Sequence, residues 1–439
     1  TWDDPNTPIK IQGNLVIEEN ATLIIKDGQV LEMLDEYFTD QPCDIIVEKG
    51  SSGIAGGQLI VENGAVLRGV LSMGSNGGTR STDRSNIDIY ADSRVYYLCK
   101  WSGVKVYGDI SLPANAIEQG RVVLDGSTSE VLLQYAESGI KSMSGGIIQA
   151  TNAKFLNCDN AIHIVGSYNS TLPSESFFID CIFETTDQIS RYVENDNMYM
   201  HDVHDFRYLK HVKLSYVNGL QMWGCEFINS DPNIFSASIY NNRGMGIESL
   251  SSSVYLHNSG NQGEDPVTKC PTFDGQKCTF EGLSYGIFSD FFIPLAGPIM
   301  NRREGNLGVQ EAEFNNCFTS IKSRMVSRAA IYNCKFNYDV SSALFQMAAT
   351  NSPQRFIELE NNEYNIVHGS TSLLDPMDPT SKQFHSQMIS NSAISTMIEI
   401  RGPHFKTLNN KVMQNELVNI NPSLDSYGLL LRDDNFNST

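Results

Sequence analysis

The chain has 439 residues, with 31 Lys and Arg against 51 Asp and Glu, and its formal net charge is −20 at pH 7. No Lys/Arg run forms the basic stripe of a nucleic-acid binder, and no apolar run approaches the roughly 20 residues that span a bilayer. Neither a nucleic-acid partner nor a transmembrane segment is therefore expected, and the acidic balance suits a protein dissolved outside the cell.

The chain opens on Thr1-Trp2-Asp3-Asp4, without an initiator Met or a basic-then-apolar leader. It reads as a mature or excised start. Short apolar strands follow, each closed by an acidic residue and an Asn or Gly turn. Residues 15–23 (LVIEENATL) align with residues 59–67 (LIVENGAVL), and residues 45–50 (IIVEKG) are a shorter copy. Leu59 lies 44 positions after Leu15, which suits two coils of about 22 residues each in a solenoid. Asp88 and Asp92, in NIDIYADSR with Arg94, share strand parity, so their carboxylates can face one way. A solvated strand face explains them equally well.

A second repeat fills the middle. Residues 153–162 (AKFLNCDNAI) match residues 312–321 (AEFNNCFTSI), with Phe, Cys and Ile in register. The element C-x-F recurs at Cys181-Ile182-Phe183, Cys225-Glu226-Phe227, Cys278-Thr279-Phe280 and Cys334-Lys335-Phe336. Positions i and i+2 of a strand point the same way, and the middle residue is usually polar. Cys and Phe therefore occupy the buried face. Stacked coils predict one corner column of small buried thiols running through Cys158, Cys181, Cys225, Cys278, Cys317 and Cys334, continued by Asn362 and Asn410. Asn beside or in place of Cys suits the left-handed conformation at a corner.

Nine cysteines exclude a complete internal disulfide set, and none forms the C-x-x-C pair of a structural zinc site. Cys270 and Cys278, in CPTFDGQKC, are either a local disulfide or two thiols. Residues 187–209 and 260–277 read as insertions, residues 374–382 as a turn-rich excursion, and residues 343–349 as the most helix-like run. The predicted fold class is all-β, a single-stranded right-handed parallel β-helix. Residues 1–120 form the N-terminal cap and first coils, and residues 121–439 continue the same solenoid.

The opening TWDD…IKIQGNLVIEENATLII, the coils IIVEKGSSGIAGGQLIVENGAVL, and KWSGVKVYGD with Trp101, Gly103 and Gly108 resemble secreted parallel β-helix proteins of the Bacteroidota. These are commonly cargo of the type IX secretion system, within the pectate-lyase-like β-helix superfamily. The resemblance implies a secreted or cell-surface location. It also implies partners among polysaccharides or other cell-surface and secretion proteins.

The densest titratable cluster is Asp196, His201, Asp202, His204, Asp205 and His211. His201, Asp202, His204 and Asp205 are candidate acid–base groups. Asp196, Asp202 and Asp205 are candidate metal ligands, calcium being the one cofactor considered. The alternative is a polar inserted loop packed by Tyr192, Tyr199 and Phe206. Tyr96, Tyr97, Trp223, Tyr240, Tyr255, Phe291 and Phe292 are possible members of a sugar-stacking platform, whereas Trp2 and Trp101 are expected in the cap and core. The leading expectation is a non-enzymatic surface β-helix with an adhesion or structural role. The alternatives are a polysaccharide lyase, a glycoside hydrolase or a carbohydrate-binding module on the same scaffold, because fold alone does not decide function.

Overall fold

The computed structural model describes residues 8–36, 43–72, 101–166, 174–186, 209–230, 243–260, 275–290, 305–317, 319–323 and 328–338. It adds short strand segments at 262–264, 271–273, 343–346, 356–360, 362–366, 394–401, 411–413, 416–419 and 425–432. All regular structure among these residues is β. The chain divides into two compact units, residues 1–167 with 174–212, and residues 168–173 with 213–439.

In each unit the chain visits three parallel sheets in turn and then repeats. In unit 1 the first sheet stacks Ile9–Gln12, Val30–Glu36, Val66–Ser72, Val131–Gln134, Ala153–Leu156 and Ile182–Thr185. The second stacks Leu15–Ile17, Asp44–Val47, Trp101–Tyr107, Ala136–Met143 and Asn160–Val165, and the third Thr22–Ile25, Gln58–Val61, Arg121–Asp125, Ile147–Thr151 and Phe177–Ile179. Unit 2 repeats the scheme. Its first sheet begins Glu226–Asn229, Thr279–Glu281, Glu313–Asn315, Lys335–Tyr338. Its second sheet begins Met245–Leu250, Tyr285–Asp290, Thr319–Ser323. Its third runs Leu220–Trp223, Val254–His257, Asn306–Gln310, Arg328–Tyr332, Phe356–Glu360, Lys411–Met413. Each unit is thus a right-handed parallel β-helix, the hand that parallel crossovers take.

Alternation explains the strands. Leu220–Trp223 buries Leu220 and Met222 and turns Gln221 and Trp223 outward. Val131 pairs with Ala153 and Gly308 with Ala330, one coil of about 22 residues apart. The C-x-F face is the core: Cys181, Phe183, Cys225, Phe227, Cys278, Phe280, Cys334 and Phe336 are all buried. In unit 2, Phe227, Phe280, Phe314 and Phe336 stack with successive centroid distances of 4.6, 4.7 and 5.0 Å. Phe155 and Phe183 do the same in unit 1 at 5.2 Å. Burying each ring stabilises by roughly 1.5–3 kcal/mol, and stacking adds about 0.5–1.5 kcal/mol.

Three sequence expectations need correction. The first is the single thiol column, because the cysteines occupy two different corners. Cys181 in unit 1, and Cys225, Cys278 and Cys334 in unit 2, stand just before strands of the first sheet. Cys158 in unit 1 and Cys317 in unit 2 stand just after such strands, where the chain turns to the second sheet. The corners read alike because both use a left-handed residue followed by a small buried one. Asn157 and Asn316 precede the second kind of cysteine, and Asp180, Gly224 and Asn333 the first, all at φ of 51 to 58°. Asn362 does replace Cys, as expected. Its Oδ1 accepts from the Cys334 backbone N–H at 2.9 Å and its Nδ2 donates to the Ile331 carbonyl at 3.1 Å. Asn410 lies outside the described residues.

The second correction is register. Leu59 pairs with Leu23, and Leu15 pairs with Ile45. The 44-position match therefore joins two different sheets. Each coil carries three strand–turn units of similar pattern, so neighbouring faces resemble one another. The third is the helix-like run at residues 343–349. Its residues Ala343–Gln346 form a strand paired to Thr319–Ser323, because the coil repeat overrides local helix propensity. Within the 260–277 insertion, Gln262–Glu264 and Pro271–Phe273 form an antiparallel pair. Cys278 is buried, with its Sγ 3.3 Å from the His257 carbonyl oxygen. Cys270 lies outside the described residues.

Candidate functional site

Asp196, His201, Asp202, His204 and Asp205 lie outside the described residues, as do Asp88, Asp92, Arg94, Tyr96, Tyr97, Tyr240, Phe291 and Phe292. His211 is described and is a core residue. It is 1% exposed, with its ring 6.5 Å from that of Phe183. Among the described residues no group of three His, Cys, Asp or Glu side chains is placed to hold a metal ion. Trp101 is buried as expected and donates through Nε1 to the Gln134 carbonyl at 3.1 Å.

Trp223 and Tyr255 are brought together on the outer face of the third sheet of unit 2. Parity makes this face. Leu220–Trp223 turns out Gln221 and Trp223, Val254–His257 turns out Tyr255 and His257, and Asn306–Gln310 turns out Asn306, Gly308 and Gln310. Strand pairing sets these side chains in two lines that cross the coils. Trp223 pairs with His257, and Gln310 pairs with Tyr332. Gln221 pairs with Tyr255, then Tyr255 with Gly308, and Gly308 with Ala330.

The Trp223 and His257 rings stack with centroids 6.1 Å apart and planes 30° apart. His257 Nε2 lies 3.1 Å from Gln221 Oε1. Burial holds the His257 imidazole below the usual histidine range, against an opposing hydrogen bond with Gln310. Neutral imidazole, with one donor and one acceptor nitrogen, is therefore its form near pH 7. Gly308 leaves room for the neighbouring ring: a Cβ there would stand 2.6 Å from Tyr255 Cδ1. The result is an outward face of two aromatic side chains on neighbouring coils, two amides, an imidazole and, one coil further, the part-exposed Tyr332. Flat rings beside polar hydrogen-bonding groups suit an amphipathic ring such as a pyranose. Sequence reasoning named the two aromatics and missed Gln221, His257, Gln310 and Tyr332. The signal was present in L-Q-M-W and V-Y-L-H, where outward residues fall at i and i+2, and in the part-exposed Tyr332 that ends A-A-I-Y; these align once the coil register is known.

A second outward group lies on the second sheet of unit 2. Tyr285 and Phe288 meet edge to face at 5.6 Å, and Lys322 Nζ sits 5.4 and 5.8 Å from their ring centres. Such cation–π contacts hold an ammonium in place. Glu248, 7% exposed, pairs with Phe288, which pairs with Lys322. Glu248 and Lys322 are thus two coil steps apart, roughly 10 Å at the backbone. In unit 1, Lys154 Nζ is 2.6 Å from Glu184 Oε2. Burial raises the neighbouring Glu130 above the usual carboxylate range while Lys154 opposes the shift.

No family model matches the sequence. No curated protein sequence matches it. Among the described residues no helix is long and apolar enough to cross a membrane. Among solved structures, the chain is similar to the tailspike protein gp49 from the Acinetobacter baumannii bacteriophage Fri1, a capsular polysaccharide depolymerase. The two are 11% identical, with a TM-score of 0.28, and the alignment covers 92% of this chain. It covers 56% of the tailspike, so this chain spans little more than half the length of that protein.

Proposed function

We propose that this protein is a secreted or cell-surface β-helix that recognises polysaccharide, and that the outer face of the third sheet in unit 2 is its binding surface. The observation that carries this reading is the pairing that sets Trp223 beside His257 and Tyr255 over Gly308 on one outward face. Part-exposed aromatic side chains gathered on one outward face suit an interaction surface. Adhesion by glycan recognition keeps the surface role expected from the sequence and joins it to the carbohydrate-binding alternative.

A polysaccharide-degrading activity is the second reading. It is favoured by Glu248 and Lys322, a buried carboxylate and a ring-held ammonium in one register line, because acid–base work needs such a pair.

A glycan panel, run with and without calcium, tests both. The wild-type protein is expected to bind, and Trp223→Ala or Tyr255→Ala to weaken binding by about tenfold each, the usual loss for a central aromatic contact. Unchanged binding in both variants, with the fold intact, contradicts the proposed surface. Release of new reducing or unsaturated ends, lost in Glu248→Gln but not in Trp223→Ala, would instead support the enzymatic reading.

A further inference from the structure

Among the described residues five large apolar side chains are exposed: Val16, Ile24, Ile54, Ile110 and Ile117. All five belong to the first three coils of unit 1. Ile117, Ile110 and Ile54 are 63%, 50% and 41% exposed, and they stand where the chain passes from the second sheet to the third. Three successive coils build this corner from residues 18–21, 48–57 and 108–120. A lone exposed aliphatic side chain is ordinary, whereas a concentration of them marks a contact surface.

The loops that carry these isoleucines are held from both sides. From the coil below, Glu19 Oε2 accepts from the Ser51 N–H at 2.7 Å and from the Ser51 hydroxyl. From the coil above, Glu118 Oε1 accepts from the Gly53 N–H at 2.9 Å, and the Ile117 carbonyl accepts from the Gly56 N–H at 2.9 Å. That last bond brings Ile117 to the loop of Ile54. A Cβ at Gly56 would stand 2.6 Å from the Gln119 carbonyl oxygen, so the two loops touch backbone to backbone. The buried Gln119 side chain closes the longer loop, its Nε2 donating to the carbonyls of Asp109 at 2.9 Å and Pro113 at 3.2 Å. A partner therefore meets side chains already in place, which lowers the ordering cost of binding.

The corner is anionic. Its carboxylates are Glu18, Glu19, Glu48, Asp109 and Glu118, and its one cation is Lys49, with Nζ 2.8 Å from Asp109 Oδ2. Hydrogen bonds from Ser51, Gly53 and Lys49 hold the Glu19, Glu118 and Asp109 carboxyls below the usual carboxylate range. On the flanking strands, Lys105 pairs with Asp44 at 2.6 Å and Arg121 donates to Gln149 at 3.4 Å. The three loop stretches contain no aromatic residue, so a sugar would find no ring to stack on. An anionic lipid surface, or a second copy of this corner, would set negative charge against negative charge. A polypeptide with aliphatic side chains beside Lys or Arg matches both the isoleucines and the carboxylates.

We infer that this corner of unit 1 is a protein-docking surface for a basic, amphipathic polypeptide segment. The partner's aliphatic side chains cover Ile54, Ile110 and Ile117, and its cations meet the surrounding carboxylates. The surface is built wholly from unit 1 and stands or falls independently of the glycan face proposed in unit 2.

The experiment is fluorescence anisotropy of labelled peptides of equal length titrated with the full chain: an amphipathic Leu/Lys peptide, its Leu/Glu counterpart, and a Ser/Lys peptide of the same charge. The Leu/Lys peptide is expected to bind, less tightly as salt is raised, and the other two to bind about tenfold more weakly or not at all. Ile54→Ser/Ile117→Ser should weaken Leu/Lys binding about tenfold at an unchanged melting temperature, because both side chains face solvent. Glu18→Gln/Glu48→Gln, which keeps the carboxylates that hold the loops, should flatten the salt dependence. Leu/Lys binding that is absent, or that survives Ile54→Ser/Ile117→Ser, overturns the inference. Equal binding of the Ser/Lys peptide also overturns it, since charge attraction alone would then suffice. A concentration-dependent dimer in sedimentation, abolished by the same double variant, would give the surface to a second copy and overturn the basic partner.

Discussion

At the scale of single residues, the interior is held by side chains that the sequence also uses as its clearest signature. Cys317 and Cys334 are buried free thiols, and burial pushes both up to about 12 from an ordinary 9.0. The folded state thus keeps its thiol protons longer than the unfolded chain does. Below pH 9 both states hold the proton and the thiols contribute full stability. Between pH 9 and 12 the unfolded chain ionises first, so stability falls as pH rises. Urea midpoints measured across that window should fall less steeply in Cys317→Ala/Cys334→Ala than in the wild type, and equal slopes would contradict the assignment. The Phe stack gives a second test. Phe280 is sandwiched between Phe227 and Phe314 at 4.6 and 4.7 Å. Phe280→Ala should cost about 3–5 kcal/mol in a denaturation experiment, and a loss below 1 kcal/mol would mean that the stack is not a packed core. These residues were legible from sequence because C-x-F fixes its own face: positions two apart in a strand must point the same way. Their sorting into two corners was not legible. A left-handed Asn before a buried Cys looks the same at Asn157-Cys158 and at Asn333-Cys334, and only the order of the flanking sheets separates them.

At the scale of elements, register decides what is exposed. A slip of one residue would exchange the outward and inward sets of a strand. Close backbone approaches between stacked strands mark where register is tightly constrained. Gly103 has φ of +106°, and a Cβ there would stand 1.6 Å from the Ser138 carbonyl oxygen. The paired strand Ala136–Met143 shifts register between Ser138 and Ile140, so the glycine sits where the two backbones crowd. Gly103→Ala is expected to lower the melting temperature and to open the second sheet of unit 1 to proteolysis; unchanged melting would show that the crowding is relieved without cost. The W-x-G motif around Trp101 marked this strand in the sequence. The sheet assignment of residues 15–23 and 59–67 escaped it, because Leu15–Ile17 and Leu59–Val61 share one alternation while belonging to different faces. Coil length varies with the loops between strands: Leu31 stands 22 positions after its partner Ile9, Ile45 stands 30 after Leu15, and Leu59 stands 36 after Leu23.

At the scale of the whole molecule, the proposed function rests on outward side chains that no local motif announces. The His–Asp cluster from Asp196 to His211 was the densest titratable signal in the sequence. Of it, the structure describes His211, which packs in the core beside Phe183. The face built by Trp223, Tyr255, His257 and Gln310 draws its members from three coils, far apart in sequence, and becomes visible once strand pairing aligns them. Trp223 and Tyr255 could be named beforehand as aromatics, but not as neighbours. The most direct measurement of the central claim is the indole fluorescence of the full chain as a polysaccharide that it binds is added. Trp101 is 1% exposed, so it should report little, and Trp223 stands on the outer face. The account expects a saturable change in fluorescence that follows binding measured by calorimetry. It also expects that change to vanish in Trp223→Phe and to need a higher glycan concentration in Tyr255→Ala. Calorimetric binding with no change in the Trp223 signal, and no effect of Tyr255→Ala, would contradict it.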